Sequence, residues 1–247
     1  MKYFLIIFFL FLFISCERDT STYQNSEAEC INLRHGNQGI YFPKYYIEKL
    51  FDLRSHFRAS AMFNRLQGHN PNAIVVFENE IMFVYNFHEG VTVSIIEIDE
   101  NELVLDRRHH QRVFTIDNYT IKNENGLMFV NVHRELYNWR TNMTKYVASA
   151  IFGDEVFRNT RGDEIFILET GNISFAGIEY ELQLNFVFFN REYDVLINKA
   201  SSPLSHIFFR VYNNEINIYE LAAIGEEGPM WAILGEYRLI DVFERCV

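Results

Sequence analysis

A chain of 247 residues, about half of them apolar, with mean hydropathy near zero, has the mass for one large globular domain or two small ones. Its 33 acidic residues against 22 basic ones give a net charge of −11 and argue against the basic patch that nucleic acid or an anionic lipid surface would require. Only four prolines and twelve glycines argue against a linker-rich or disordered body.

The first residues carry an address. Met1-Lys2 leads into an apolar run, Tyr3 to Ile14, and then into Ser15-Cys16-Glu17-Arg18-Asp19. One positive charge, a short apolar stretch and a small residue make the layout of a secretory signal peptide. A membrane-crossing helix needs about 20 apolar residues, and this run stops short of that. As a core helix, apolar all round, it would need protein on every side.

Phe13-Ile14-Ser15-Cys16 resembles the lipobox of bacterial lipoproteins. The resemblance implies a diacylglycerol on the Cys16 thiol, cleavage between Ser15 and Cys16, and an acylated new amino terminus. Phe13 stands where leucine is usual, which suits a lineage with a relaxed signal such as the spirochaetes. An ordinary signal peptide with a chance cysteine remains the other reading. The expected organisation is a signal peptide over 1–15, a lipidated cysteine and flexible tether over 16–35, and a single β-rich domain over 36–247. Cleavage would remove Lys2 and leave 21 basic against 33 acidic residues, a net of −12.

Two further cysteines, Cys30 and Cys246, flank the domain. In an exported protein they could pair, closing a loop worth about 5 kcal/mol in the chain-entropy model. Two free thiols in a poorly oxidising compartment fit equally well.

The body begins with a helix signal. Pro43 suits a first helical turn, and Ile47, Leu50 and Phe51 recur at helical spacing, with a continuation or restart from Ser55 to Phe63. Strands follow at Ala73 to Phe77, Ile81-Phe83-Tyr85-Phe87, Val91-Val93-Ile95, Leu103 to Leu105, Val113 to Ile116 and Leu127-Phe129. Met143 to Phe152 reads as a second helix. Strands resume at Ile165 to Leu168 and Ile173 to Phe175.

The strongest alternation then sets Ile178, Tyr180, Leu182, Leu184, Phe186 and Phe188 on one face. A period of two cannot come from a helix. Tyr193 to Ile197, Ile207-Phe209-Val211, Ile216 to Tyr219 and Tyr237 to Val242 complete the set, with Asn213-Asn214 as a hairpin turn. Glu78-Asn79, Glu124-Asn125-Gly126 and Thr170-Gly171-Asn172 are turn chemistry between apolar runs. The expectation is a mainly β antiparallel barrel or sandwich with one N-terminal helix, and no internal repeat at a fixed period.

Ile40 to Tyr45, Asn86-Phe87-His88-Glu89-Gly90 and the strand pattern from Gly153 to Phe189 resemble the lipocalin-like barrel lipoproteins of spirochaetes and other low-GC bacteria. That resemblance implies a β-barrel in which a small apolar ligand could sit. The Gly-x-Trp signature of true lipocalins is missing, and Trp139 and Trp231 lie elsewhere.

Residues with catalytic chemistry do not converge. His88 and Glu89 are adjacent on a strand and so point to opposite faces, as do His109 and His110. Glu179 and Glu181 share a face but sit among polar neighbours, as solvated carboxylates do. Arg107 to Arg112 follows an acidic stretch and reads as a solvated turn. Glu226-Glu227-Gly228-Pro229 is a charged turn, and the sequons at Asn118 and Asn142 mean little in a bacterial lipoprotein. No Gly-x-Ser-x-Gly, P-loop, dinucleotide fingerprint or zinc spacing is present. The sequence therefore predicts neither an enzyme nor a metal or cofactor site. It predicts an envelope lipoprotein whose partners are the membrane, through its anchor, and either a small apolar ligand or another envelope protein.

Overall fold

The computed structural model describes residues 37–67, 70–85, 87, 89–99, 102–105, 113–117, 119–184, 193–198, 200, 205–224 and 235–246. Several sequence expectations lie outside these residues: the signal peptide, Cys16, the tether, Cys30, His88, the Arg107–Arg112 cluster with His109 and His110, Asn118, Glu226–Pro229 and Trp231.

The described residues form two closed antiparallel barrels in succession. The first contains β1 (Gly39–Pro43), β2 (Ala73–Val76), β3 (Glu80–Tyr85), β4 (Glu89–Asp99), β5 (Glu102–Leu105), β6 (Val113–Ile116), β7 (Thr120–Asn123) and β8 (Met128–His133). Each strand pairs with the next, and β8 returns to β1 with Phe42 opposite Val130 and Pro43 opposite Phe129. The second contains β9 (Phe157–Arg158), β10 (Glu164–Ile167), β11 (Ile173–Phe175), β12 (Ile178–Leu182), β13 (Asp194–Asn198), β14 (Ser205–Tyr212), β15 (Glu215–Ile224) and β16 (Gly235–Arg245). Here the two-residue β9 closes the ring, pairing with both β10 and β16. Each barrel has the up-and-down order of a lipocalin-like barrel.

At the first seam the backbones approach closely. A Cβ on Gly39 would lie 2.4 Å from Asn131 Nδ2 and 2.7 Å from the His133 carbonyl, so closure there needs glycine. Two-residue hairpins turn β11 into β12 and β14 into β15. Their turn residues Ala176, Gly177 and Asn213 have φ of 48°, 76° and 49°, in the left-handed region that matches strand twist.

Three helices accompany the strands. Pro43, at φ −56°, ends β1 and starts α1 (Lys44–Leu53). Tyr46 and Leu50, four apart, are buried, whereas Phe51 turns outward at 55% exposure, so the inward stripe runs through Tyr46 rather than Phe51. Arg54 breaks the helix in a left-handed conformation, and α2 (His56–Gln67) starts at once, its first turn capped where the Arg58 N–H donates to Ser55 Oγ at 3.3 Å. Of the continuation or restart expected from Ser55 to Phe63, the structure has the restart, so the N-terminal helix is a helix pair. α3 (Trp139–Phe152) starts four residues before the Met143 expected from sequence.

Every residue of β1 and of β2 is buried. A barrel strand has one face toward the lumen, so burial on both faces means an outer cover, which α1 supplies against β1. α3 joins the two halves. Tyr146 meets Phe42 of β1 at 5.5 Å between ring centroids, and Phe152 meets Phe209 of β14 at 5.3 Å. One apolar cluster consequently runs through both barrels and the helices. Each fully buried ring, such as Phe42, Phe129, Phe209 or Phe243, contributes about 1.5–3 kcal/mol by area. A satellite cluster sets Phe57 of α2 against Val195, Ile197 and Phe208.

Candidate functional site

A polar groove lies beside the start of α3. Asn138, at φ 54°, turns the chain into the helix, and Asn142 Nδ2 donates to the carbonyls of Glu135 and Tyr137 at 3.1 and 3.0 Å, holding that entry loop. The first two turns present Arg140, Thr141 and Thr144. Thr144 Oγ1 donates back to the Arg140 carbonyl at 3.1 Å.

The opposite wall is the β10–β11 turn. Leu168 and Gly171 close it, with the Gly171 N–H donating to the Leu168 carbonyl at 2.8 Å. The turn is clasped to α3, since Lys145 Nζ donates to the Glu169 carbonyl at 3.2 Å. A Cβ on Gly171 would meet Lys145 Cβ at 2.8 Å, and its φ is 86°. Substituting alanine there is expected to cost about 1–2 kcal/mol through left-handed strain and displacement of Lys145, read as a lower melting temperature with the β-sheet spectrum retained.

The floor comes from β12 and β13. Glu179 Oε1 accepts from Asn172 Nδ2 at 2.7 Å and lies 3.5 Å from Thr170 Oγ1. Glu181, two residues on, points to the same side and enters both hollows of the groove. These measure about 390 and 220 Å³ and share Asn172 and Glu181, and the second is completed by Ile197 and Asn198. The polar inventory is one guanidinium, two carboxylates, hydroxyls and carboxamides, with Tyr180, Ile197 and Ala200 beside them in the smaller hollow. Among the described lining residues there is no histidine, cysteine or serine, and the groups present can donate and accept hydrogen bonds.

A second polar centre is buried at the start of α2. Tyr46 and His56 are 1% and 0% exposed. His56 Nε2 lies 3.0 Å from the Leu184 carbonyl, which can only accept, so Nε2 carries the proton and Nδ1 accepts from Tyr46 Oη at 2.8 Å. Phe87 packs edge-on at 4.6 Å, held at φ 61°. Burial pushes the His56 pKa down to about 3, with the Leu184 carbonyl opposing, so the ring is neutral.

Asp194 of β13 sits at the same helix terminus, its Oδ1 accepting the Phe57 N–H at 2.9 Å. Its Oδ2 makes no well-formed hydrogen bond. Burial pushes its pKa up to about 6 against the pull of the Phe57 amide. This centre ties β13 to the helix pair and opens onto no hollow described above.

Of the residues singled out from sequence, Glu179 and Glu181 are brought together in the floor of the groove. Phe87 leaves the strand pattern and becomes a buried turn residue. Ile178, assigned to an apolar face, is 48% exposed, while Tyr180 and Leu182 are buried as expected. Cys246 is exposed just after β16. Asn142 is a loop brace. Arg140, Thr141, Thr144, Asn172, His56 and Asp194 were missed. Their one legible signal was the Thr170-Gly171-Asn172 turn. Among the described residues no group of three or more His, Cys, Asp or Glu side chains could hold a metal ion. Comparison with protein-family models, with curated proteins and with solved structures found no match.

Proposed function

We propose that this chain is a bacterial cell-envelope lipoprotein, held on a bilayer by acyl chains on Cys16, whose double-barrel body serves as a binding or interaction module. The observation that carries the reading is the Tyr3–Ile14 apolar run ending on Ser15-Cys16, with polar sequence immediately after it. Two or more acyl chains hold a protein stably, since each buried methylene contributes about 0.8 kcal/mol and one chain alone is marginal. The acidic balance supports lipid insertion rather than charge attraction as the means of attachment.

Two ligand modes follow from the fold. A small apolar ligand within a barrel is the one the lipocalin-like order suggests. Recognition on the outer surface is the other, and specific observations favour it. The core rings are in mutual contact, as in Phe83–Phe114 at 5.6 Å and Phe175–Phe243 at 5.4 Å, and the groove beside α3 is open and polar.

The test is covalent. Cells expressing the chain are fed radiolabelled palmitate, and vesicle pelleting is compared with Cys16→Ser. Label on the original protein, loss of label in the variant and a shift of most of the protein to the supernatant are expected. Unlabelled original protein, or equal pelleting of the variant, would overturn the reading.

A further inference from the structure

We infer that the two adjoining hollows beside α3 bind a neutral, hydroxyl-rich ligand, of the size of one or two sugar units of a glycan. This deepens the surface-recognition mode above and uses none of the membrane argument.

The lining selects by what it offers. A sugar hydroxyl both donates and accepts, and neighbouring hydroxyls can share one carboxylate or one guanidinium. Thr141 and Thr144 on one wall, Asn172 on the other, and Glu179, Glu181 and Arg140 around them supply that mixture within one concave surface. The signs oppose a highly charged ligand. Two carboxylates repel a polyanion, and the guanidinium among them disfavours a polycation. An apolar ligand would leave these groups desolvated and unpaired.

Size and rigidity fit as well. The 390 Å³ hollow is at the small end of the ~300–1,000 Å³ typical of ligand sites, and the 220 Å³ hollow extends it past the shared Asn172 and Glu181. The Asn172–Glu179 hydrogen bond and the clasp of Lys145 on the turn fix the walls before a ligand arrives, which lowers the entropic cost of binding.

A helical peptide fits less well. The larger hollow lacks the apolar anchors that an amphipathic helix needs.

The probes are cellobiose, maltose and N,N′-diacetylchitobiose, each titrated at millimolar concentration into the detergent-solubilised full-length protein and followed by saturation-transfer NMR. Trialanine and sodium sulfate serve as competing chemistries. Saturable binding of at least one disaccharide is expected, weakened about tenfold or more in a Thr141→Val, Thr144→Val double variant whose melting curve is unchanged. Glu181→Gln gives a second, independent loss. The inference is overturned if no disaccharide binds, if trialanine or sulfate binds this surface more tightly, or if both variants bind as the original does. Cys16→Ser protein should bind the disaccharide normally, so failure of the anchor and failure of the groove are told apart.

Discussion

Replacing Arg54 with alanine is expected to lower the unfolding free energy by about 3–5 kcal/mol, seen as an earlier urea midpoint at unchanged slope. The side chain joins α1, the end of α3 and the β14–β15 turn. Its Nε donates to the Ile151 carbonyl at 2.7 Å, Nη2 to the Phe152 carbonyl at 3.1 Å and to Glu155 at 3.2 Å, and Nη1 to the Asn213 carbonyl at 2.9 Å. The Ile151 and Phe152 carbonyls belong to the last turn of α3, where no helical partner exists. The Arg54 side chain is 22% exposed, so only part of the lost bonding can be made good by water. Glu155 keeps a second partner in Arg245 at 3.0 Å, which limits the damage on that side.

Two controls separate the contributions. Arg54 sits at φ 45°, so glycine should be less harmful than alanine by about 1 kcal/mol through relief of left-handed strain. Lysine keeps the charge but not the planar fork, and should recover less than half of the loss. A loss below about 1 kcal/mol for alanine, or equal stability of all three variants, would refute the staple.

What could be read from the sequence follows the range of the interactions concerned. Ile207-Phe209-Val211, Asn213-Asn214 and Ile216 to Tyr219 gave β14, its turn and β15 because alternation and turn chemistry are local. Division into two rings is a matter of which distant strands close, Ile40 opposite His133 and Arg245 opposite Phe157, and no local pattern encodes it. β7 escaped because only Ile121 in Thr120–Asn123 is buried, and β9 because two residues carry no period. The groove was invisible for the same reason, since α3, the β10–β11 turn, β12 and β13 meet only once the second barrel is closed. Glu179 and Glu181 looked solvated because strand alternation reports a face, never what lies across from it.

The second large effect concerns acid. At pH 8, Asp194→Asn is expected to be more stable than the original by up to about 3 kcal/mol. The folded pKa of Asp194 is about 6, against about 3.9 for an unfolded aspartate. The folded state therefore holds this proton more tightly. The contribution to stability is most favourable below about pH 4, declines as pH rises toward 6, and its full cost is present above that. Asparagine keeps the acceptor for the Phe57 N–H and removes the buried charge.

His56 works in the opposite direction. Its folded pKa of about 3 lies below the ordinary 6.5, so its stability is complete above about pH 6.5 and is lost as pH falls toward 3. Between pH 6.5 and 4 the two groups change stability by about 3 kcal/mol each with opposite sign, and the original protein should show little net slope from this centre. In Asp194→Asn the histidine acts alone, so the variant's advantage at pH 8 should have gone by about pH 4. Melting curves at pH 8, 6 and 4 decide it. Parallel curves for the two proteins, or an asparagine variant that is less stable at pH 8, would mean that the carboxylate at the head of α2 is a net-favourable cap and not a buried cost.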